Sequence, residues 1–217
     1  MVEIPLRERK AARTKAALFQ AAIKRLKNRF FDDIAVKELC HEAMVSEATF
    51  FNYFSKKTDL LVFFVRLFVL ELAWHARQAT GNKEGLDAIH AIFDLMADSS
   101  IESHRVATEV IGFFARQRDE VVLMDISKAD RLAVYPNRSG IENIPDQTIE
   151  MLLGANIRAA IAKGELPPGT DAQKTTMGLV AMFFGLQLAL DKDSVHMMKD
   201  LFQHQLNLLW TGLRNQG

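Results

Sequence analysis

Residues 36–57, VKELCHEAMVSEATFFNYFSKK, constrain this chain more than any other stretch. Val36, Leu39, Cys40 and Ala43 recur at i, i+3, i+4 and i+7, the spacing of one helix face. Residues 44–45 break that helix. Ser46 is then placed to cap a second one, its hydroxyl accepting the backbone N–H of Ala48 or Thr49. The second helix covers 47–54. Phe50 and Phe54, four apart, share its inner face, while Thr49, Asn52 and Tyr53 point elsewhere. Two short helices around a tight turn are the helix-turn-helix plan, in which the second helix enters the DNA major groove. The same spacing also suits a hairpin that is purely structural.

The run Ala43-Met44-Val45-Ser46-Glu47-Ala48-Thr49-Phe50-Phe51-Asn52-Tyr53-Phe54, with Lys57 and Leu60-Leu61 after it, resembles the DNA-binding signature of the TetR family of transcriptional regulators. Arg13-Thr14-Lys15, Leu18-Phe19 and Ala21-Ala22 are similar to that family's first helix. The resemblance covers about residues 13–61. Met44 stands where the family usually has Gly, Ala48 where it often has Gly, Phe51 where it has a phosphate-contacting Tyr, and Ala35 where it has Thr. These departures bear on the turn, one phosphate bond and one helix cap. The resemblance implies an all-α fold with two domains. Residues 1–56 are expected to form a three-helix DNA-binding domain. Residues 57–217 are expected to form a helical bundle for ligand binding and dimerisation. It further implies a ligand-responsive regulator, most often a repressor, acting on a palindromic double-stranded operator. A helical small-molecule carrier whose hairpin is only structural is the alternative.

The charge pattern agrees with a local anionic partner. Lys and Arg number 27 and Asp and Glu 27, yet residues 1–60 hold 12 of the cations and 8 of the acids. A basic third on a neutral chain is the footprint expected of a nucleic-acid surface. The candidate DNA contacts are Thr14, Ser46, Thr49, Phe50, Phe51, Asn52, Tyr53 and Lys57. Thr49 and Tyr53 are expected to donate to phosphates and Asn52 to reach a base edge or a phosphate. Lys57 is expected to open the fourth helix, whose N-terminus favours anions. Residues 1–12 read as a mobile charged arm.

The rest of the chain reads as helices. Expected spans are 14–27, 57–79, 84–99, 104–117, 118–134, 147–163, 171–190 and 194–214. Residues 28–33 connect the first two helices, with Phe30 and Phe31 plugging the core. Residues 135–146, with Pro136, Gly140 and Pro145, form a loop. The span 118–134 carries Val121, Val122, Met124 and Ile126. Residues 60–74 and 177–190 are apolar but fall short of the ~20 residues that span a bilayer, so no membrane partner is expected. Cys40 is the single cysteine. That excludes an intramolecular disulfide and fits a cytoplasmic protein, with the thiol in the core.

No nucleophile elbow, phosphate loop, dinucleotide fingerprint or zinc-helix motif occurs, so no enzyme activity, cofactor or metal is expected. Phe64, Phe68, Phe93, Met96, Phe113, Phe114 and Met124 fall at core-like positions. They either pack solid or line a cavity for a small apolar or aromatic effector, with His90 as a polar anchor or as a hydrogen-bonded core histidine. Residues 171–190 are apolar on all sides, and Gly178, Ala181, Gly185 and Ala189 form a small-residue stripe. The expected homodimer interface comprises Gly178, Ala181, Phe184, Gly185 and Leu188, with Met198, Leu201 and Leu208 from the last helix.

Overall fold

The computed structural model describes residues 4–116 and 124–215. Its helices are α1 (Leu6–Leu26), α2 (Val36–Glu42), α3 (Glu47–Tyr53), α4 (Asp59–Thr80), α5 (Leu86–Arg116), α6 (Lys128–Val134), α7 (Ile149–Ala162), α8 (Ala172–Ala189) and α9 (Met198–Arg214). Short 3-10 turns occupy Ile141–Asn143 and Val195–Met197, and no strand occurs among the described residues. The chain is all-α, as expected.

Three boundaries differ from those read in the sequence. α1 starts at Leu6, so residues 6–12 are helical rather than a loose arm. Arg, Glu, Lys and Ala are strong helix formers, and Pro5 sets the helix start. The spans 84–99 and 104–117 are one helix, α5, and the expected break survives as a kink at Ser103 (φ −151°, ψ 49°). α6 begins only at Lys128, because Ser127 and Asp130 form a reciprocal capping box. Arg118, Val121 and Val122 lie outside the described residues, and Met124 precedes the helix.

The chain forms two compact units, Met1–Leu70 with Glu109–Asp146, and Glu71–Thr108 with Gln147–Gly217. The division falls within α4 and again within α5.

The first unit is built around aromatic rings. Phe50 and Phe54 lie 5.5 Å apart, Phe54 meets Phe63 edge-on at 5.6 Å, and Phe63 meets Phe19 at 5.8 Å. This row ties α3, α4 and α1 together, and edge-to-face pairs add to the area each ring buries. Phe31 is buried beside them, but Phe30 is 57% exposed and lies outside the core. The Phe31 amide donates to Glu109 at 2.9 Å. α6 packs on α1, where the Lys15 ammonium meets the buried Asp130 carboxylate at 2.5 Å. Arg66 pairs with Asp146, and the buried Arg131 guanidinium donates to the carbonyls of Ile126, Glu142 and Ile144. Burial pushes the Arg131 pKa down, against the pull of Asp146.

The second unit has Phe93 at its centre, edge-on to Phe183 at 5.6 Å and to Phe202 at 4.9 Å. α7 packs along α8. Two side chains cap the start of α5. Asn156 accepts the Gly85 N–H at 3.0 Å and Glu165 accepts the Leu86 N–H at 2.8 Å. Gln187, fully buried on α8, accepts the Ser100 hydroxyl at 2.8 Å and donates to the Met198 sulfur at 3.0 Å.

Candidate nucleic-acid interface

The α2–α3 hairpin owes its turn to a paired set of backbone bonds. The Val45 N–H reaches Cys40 O at 2.9 Å and the Met44 N–H reaches His41 O at 3.3 Å. This 6→1 and 5→2 pattern closes α2 and needs a left-handed residue between. Met44 takes that role at φ 54°. It keeps the geometry that a glycine would give and carries the steric cost, with its side chain 91% exposed. The departure at Ala35 has the expected consequence, since α2 starts there with no side-chain cap. α3 is properly capped, with Ser46 Oγ accepting the Thr49 N–H at 3.1 Å. The two hydroxyls of Ser46 and Thr49 also bond each other at 2.9 Å.

α2 is held against α1 by charge. Glu42 pairs with Arg25 and with Lys24 (3.0 Å), and Glu38 with Arg29 (2.5 Å) and Arg25 (3.4 Å). The Arg29 guanidinium holds the Glu38 carboxyl below the usual glutamate range, and Glu38 raises Arg29 in return. These pairs neutralise both acids of α2 near its exposed face. Cys40 lies beneath, where burial and then the Glu47 charge push its thiol pKa up and keep it protonated.

The candidate contacts divide by exposure. Phe51 is 50% exposed and Asn52 is exposed, while Thr49 and Tyr53 are half-buried. Ser46 is exposed but occupied as a cap. Phe50 is 0% exposed, so it supports α3 from beneath and presents nothing to a partner. Thr14 is half-buried, with its hydroxyl donated to Lys10 O at 3.2 Å. Lys57 has a different task from the one expected. α4 starts two residues later, and the ammonium donates to the carbonyls of Phe31 (2.8 Å), Asp32 (3.3 Å) and Ile34 (3.1 Å). It also sits 4.5 Å from the Phe31 ring centre. All three of its N–H donors are taken, which leaves none for a phosphate. Its neighbour Lys56 is exposed, as are Lys37 and, on the first turns of α1, Arg7, Arg9, Lys10 and Arg13. Sequence spacing did not single out Lys37 and Lys56, since a lone lysine on or beside a short helix carries no period.

The other candidates fall into both units. Phe64, Phe68, Phe113, Phe114 and Met124 belong to the first and are half-buried, Phe64 and Phe68 stacking at 5.8 Å and Phe113 meeting Phe114 at 5.2 Å. His90, Phe93 and Met96 belong to the second, where Phe93 and Met96 are buried. His90 has both ring nitrogens engaged. Trp210 Nε1–H donates to its Nε2 at 3.1 Å, so its Nδ1–H donates to Gln203 at 2.7 Å. That is the hydrogen-bonded core histidine, with no free nitrogen to anchor a ligand. On α8, Gly178, Ala181, Gly185 and Leu188 are exposed and Phe184 is half-buried. On α9, Leu208 is exposed and Leu201 half-buried. Met198 is 0% exposed within its own chain and turns inward to Gln187, away from that face. Among the described residues, no group of three or more His, Cys, Asp or Glu side chains could hold a metal ion, and no helix is long and apolar enough to cross a membrane.

No protein-family model matches the chain, and no curated protein matches it in sequence. Solved structures do match its fold. GusR of Salmonella enterica is 17% identical over 99% of this chain and 98% of its own, with a TM-score of 0.60. A TetR-family transcriptional regulator from Rhodococcus sp. is 14% identical over 93% and 98%, with a TM-score of 0.62. The ketosteroid transcriptional regulator KstR2 of Mycobacterium tuberculosis is 14% identical over 98% and 97%, with a TM-score of 0.55. The chain has the fold of the TetR-family transcriptional regulators.

Proposed function

We propose that this protein is a ligand-responsive DNA-binding transcriptional regulator. Residues 1–56 act as its DNA-binding domain and residues 57–217 as its ligand-binding and dimerisation domain. The observation that carries the reading is α3: a helix capped by Ser46 and seated on buried Phe50 and Phe54, with Phe51 and Asn52 left outside. Asn52 then reads a base edge, and Phe51 packs on a sugar or a thymine methyl. Thr49 and Tyr53 bond phosphates, with Lys37 and Lys56 supplying charge. Lys57 positions this surface by tying the start of α4 to the α1–α2 loop. Two copies join through the exposed small-residue stripe of α8 and the outer face of α9. They present two α3 helices to a palindrome with half-sites about one helical turn, ~34–36 Å, apart. Repression relieved by a small apolar or aromatic effector is supported by the half-buried rings of Phe64, Phe68, Phe113 and Phe114. The test is selection of duplexes from a random pool by the full chain. Enrichment of a palindrome with that spacing is expected. Enrichment of single asymmetric sites, or of nothing, would count against the reading.

A further inference from the structure

The end of α4, the turn after it and α7 enclose a cleft of about 300 Å³ that the proposed regulator function does not use. Its walls are small and apolar, with Ala73 and Ala76 from α4, Ala88 from α5, and Leu152 and Ala155 from α7. Its polar groups are Arg77, Asn82, Lys83, Glu84, Gln147 and Asn156. Among the described residues, the charged groups of Arg77 and Lys83 have no hydrogen-bond or ion-pair partner. Lys163 lies next to this group, its ammonium on the Glu84 carbonyl. Asn156 is 3% exposed, accepts from Gly85 and donates one amide N–H to Leu152 O at 2.8 Å. Its second N–H is unused among the described residues.

We infer that this cleft binds a small organic monocarboxylate, its apolar body against the alanines and its carboxylate on Arg77 and Lys83. Size and charge both select that class. The volume lies at the small end of the range for ligand sites. Arg77 and Lys83, with Lys163 beside them, outnumber the single carboxylate of Glu84, so the cleft favours an anion. The guanidinium of Arg77 takes a carboxylate through two parallel N–H bonds, and a bond between charged partners outweighs one to a neutral amide. Lys83 is exposed on a turn and adds a point charge at the rim. The site lies wholly within the second compact unit and stands whether or not the chain binds DNA.

The experiment is calorimetric titration of the full chain, without DNA, with 2-naphthoate and with its uncharged twin 2-naphthamide. Naphthoate should bind one per chain, and naphthamide should bind about tenfold or more weakly, the worth of a charge-assisted bond. Arg77→Gln and Lys83→Gln should each weaken naphthoate several-fold and leave the amide unchanged. Ala155→Phe should remove binding of both by filling the space. Equal binding of acid and amide would overturn the inference. So would no saturable naphthoate binding at millimolar concentration, or undiminished binding in Arg77→Gln with an unchanged melting curve.

Discussion

Replacing Lys57 with Ala separates a structural clamp from a DNA contact. The ammonium makes three bonds to carbonyl oxygens, at 2.8, 3.1 and 3.3 Å, and lies over the Phe31 ring at 4.5 Å. A hydrogen bond to a charged group contributes about 1.5–3 kcal/mol where water cannot replace it. Two of these carbonyl bonds are part-buried and the third is exposed, so water recovers part of the loss. The expected cost is about 2–3 kcal/mol, well short of the sum of three separate bonds. For a chain of this size that lowers Tm by about 4–12 °C. Thermal denaturation followed by circular dichroism reads it. The same variant, held below its transition, should keep the wild-type slope of log K against log salt for duplex binding. Lys56→Ala should instead lose about 0.9 from that slope at no cost in stability. An unchanged Tm in Lys57→Ala, with the slope reduced by about one, would instead make Lys57 a phosphate contact and no clamp.

Met44→Gly should stabilise the chain by about 0.5–1 kcal/mol in urea denaturation, since it removes a left-handed strain of about 1–2 kcal/mol and adds unfolded-state entropy worth about half of that. Gly85→Ala should cost about 2 kcal/mol or more in the same assay. A Cβ there would lie 2.6 Å from Glu165 Oε2, at φ 125°, and would displace the acceptor of the Leu86 N–H. The Glu38 carboxyl is held below its ordinary pKa by Arg29. Its contribution is therefore complete above the ordinary glutamate range and disappears as pH falls through the depressed value. Urea midpoints taken between about pH 6 and pH 3 should fall less steeply in Glu38→Gln than in the wild type.

The hairpin was legible because its signals are local. The apolar spacing of Val36, Leu39 and Cys40, the Ser46 cap and the Phe50/Phe54 pair all act within seven residues. The role of Lys57 was not, because its acceptors lie 23 to 26 positions upstream and their carbonyls converge only once the α1–α2 loop has folded. His90 was legible as an inward residue but not as a doubly bonded one, since Gln203 and Trp210 come from α9, more than a hundred residues on. Met198 sits on a helix apolar on more than one stripe, and periodicity alone could not tell which stripe meets Gln187. Asp130 falls within the helix expected over 118–134. Its capping box and its pairing with Lys15 require α6 to lie on α1, which no local pattern announces.

Regulation by this chain turns on whether the outer face of α3 holds DNA. Anisotropy of a labelled duplex titrated with the full chain, across a salt series, measures this directly. The wild type should bind with log K falling linearly against log salt. The double variant Phe51→Ala, Asn52→Ala should lose sequence preference and at least about tenfold in affinity for the selected duplex. Its Tm should fall by only a few degrees, because Asn52 is exposed and Phe51 gives up little beyond its edge-on contact with Phe50 at 5.2 Å. Duplex binding that is absent, or that the double variant retains in full, would contradict that role for α3.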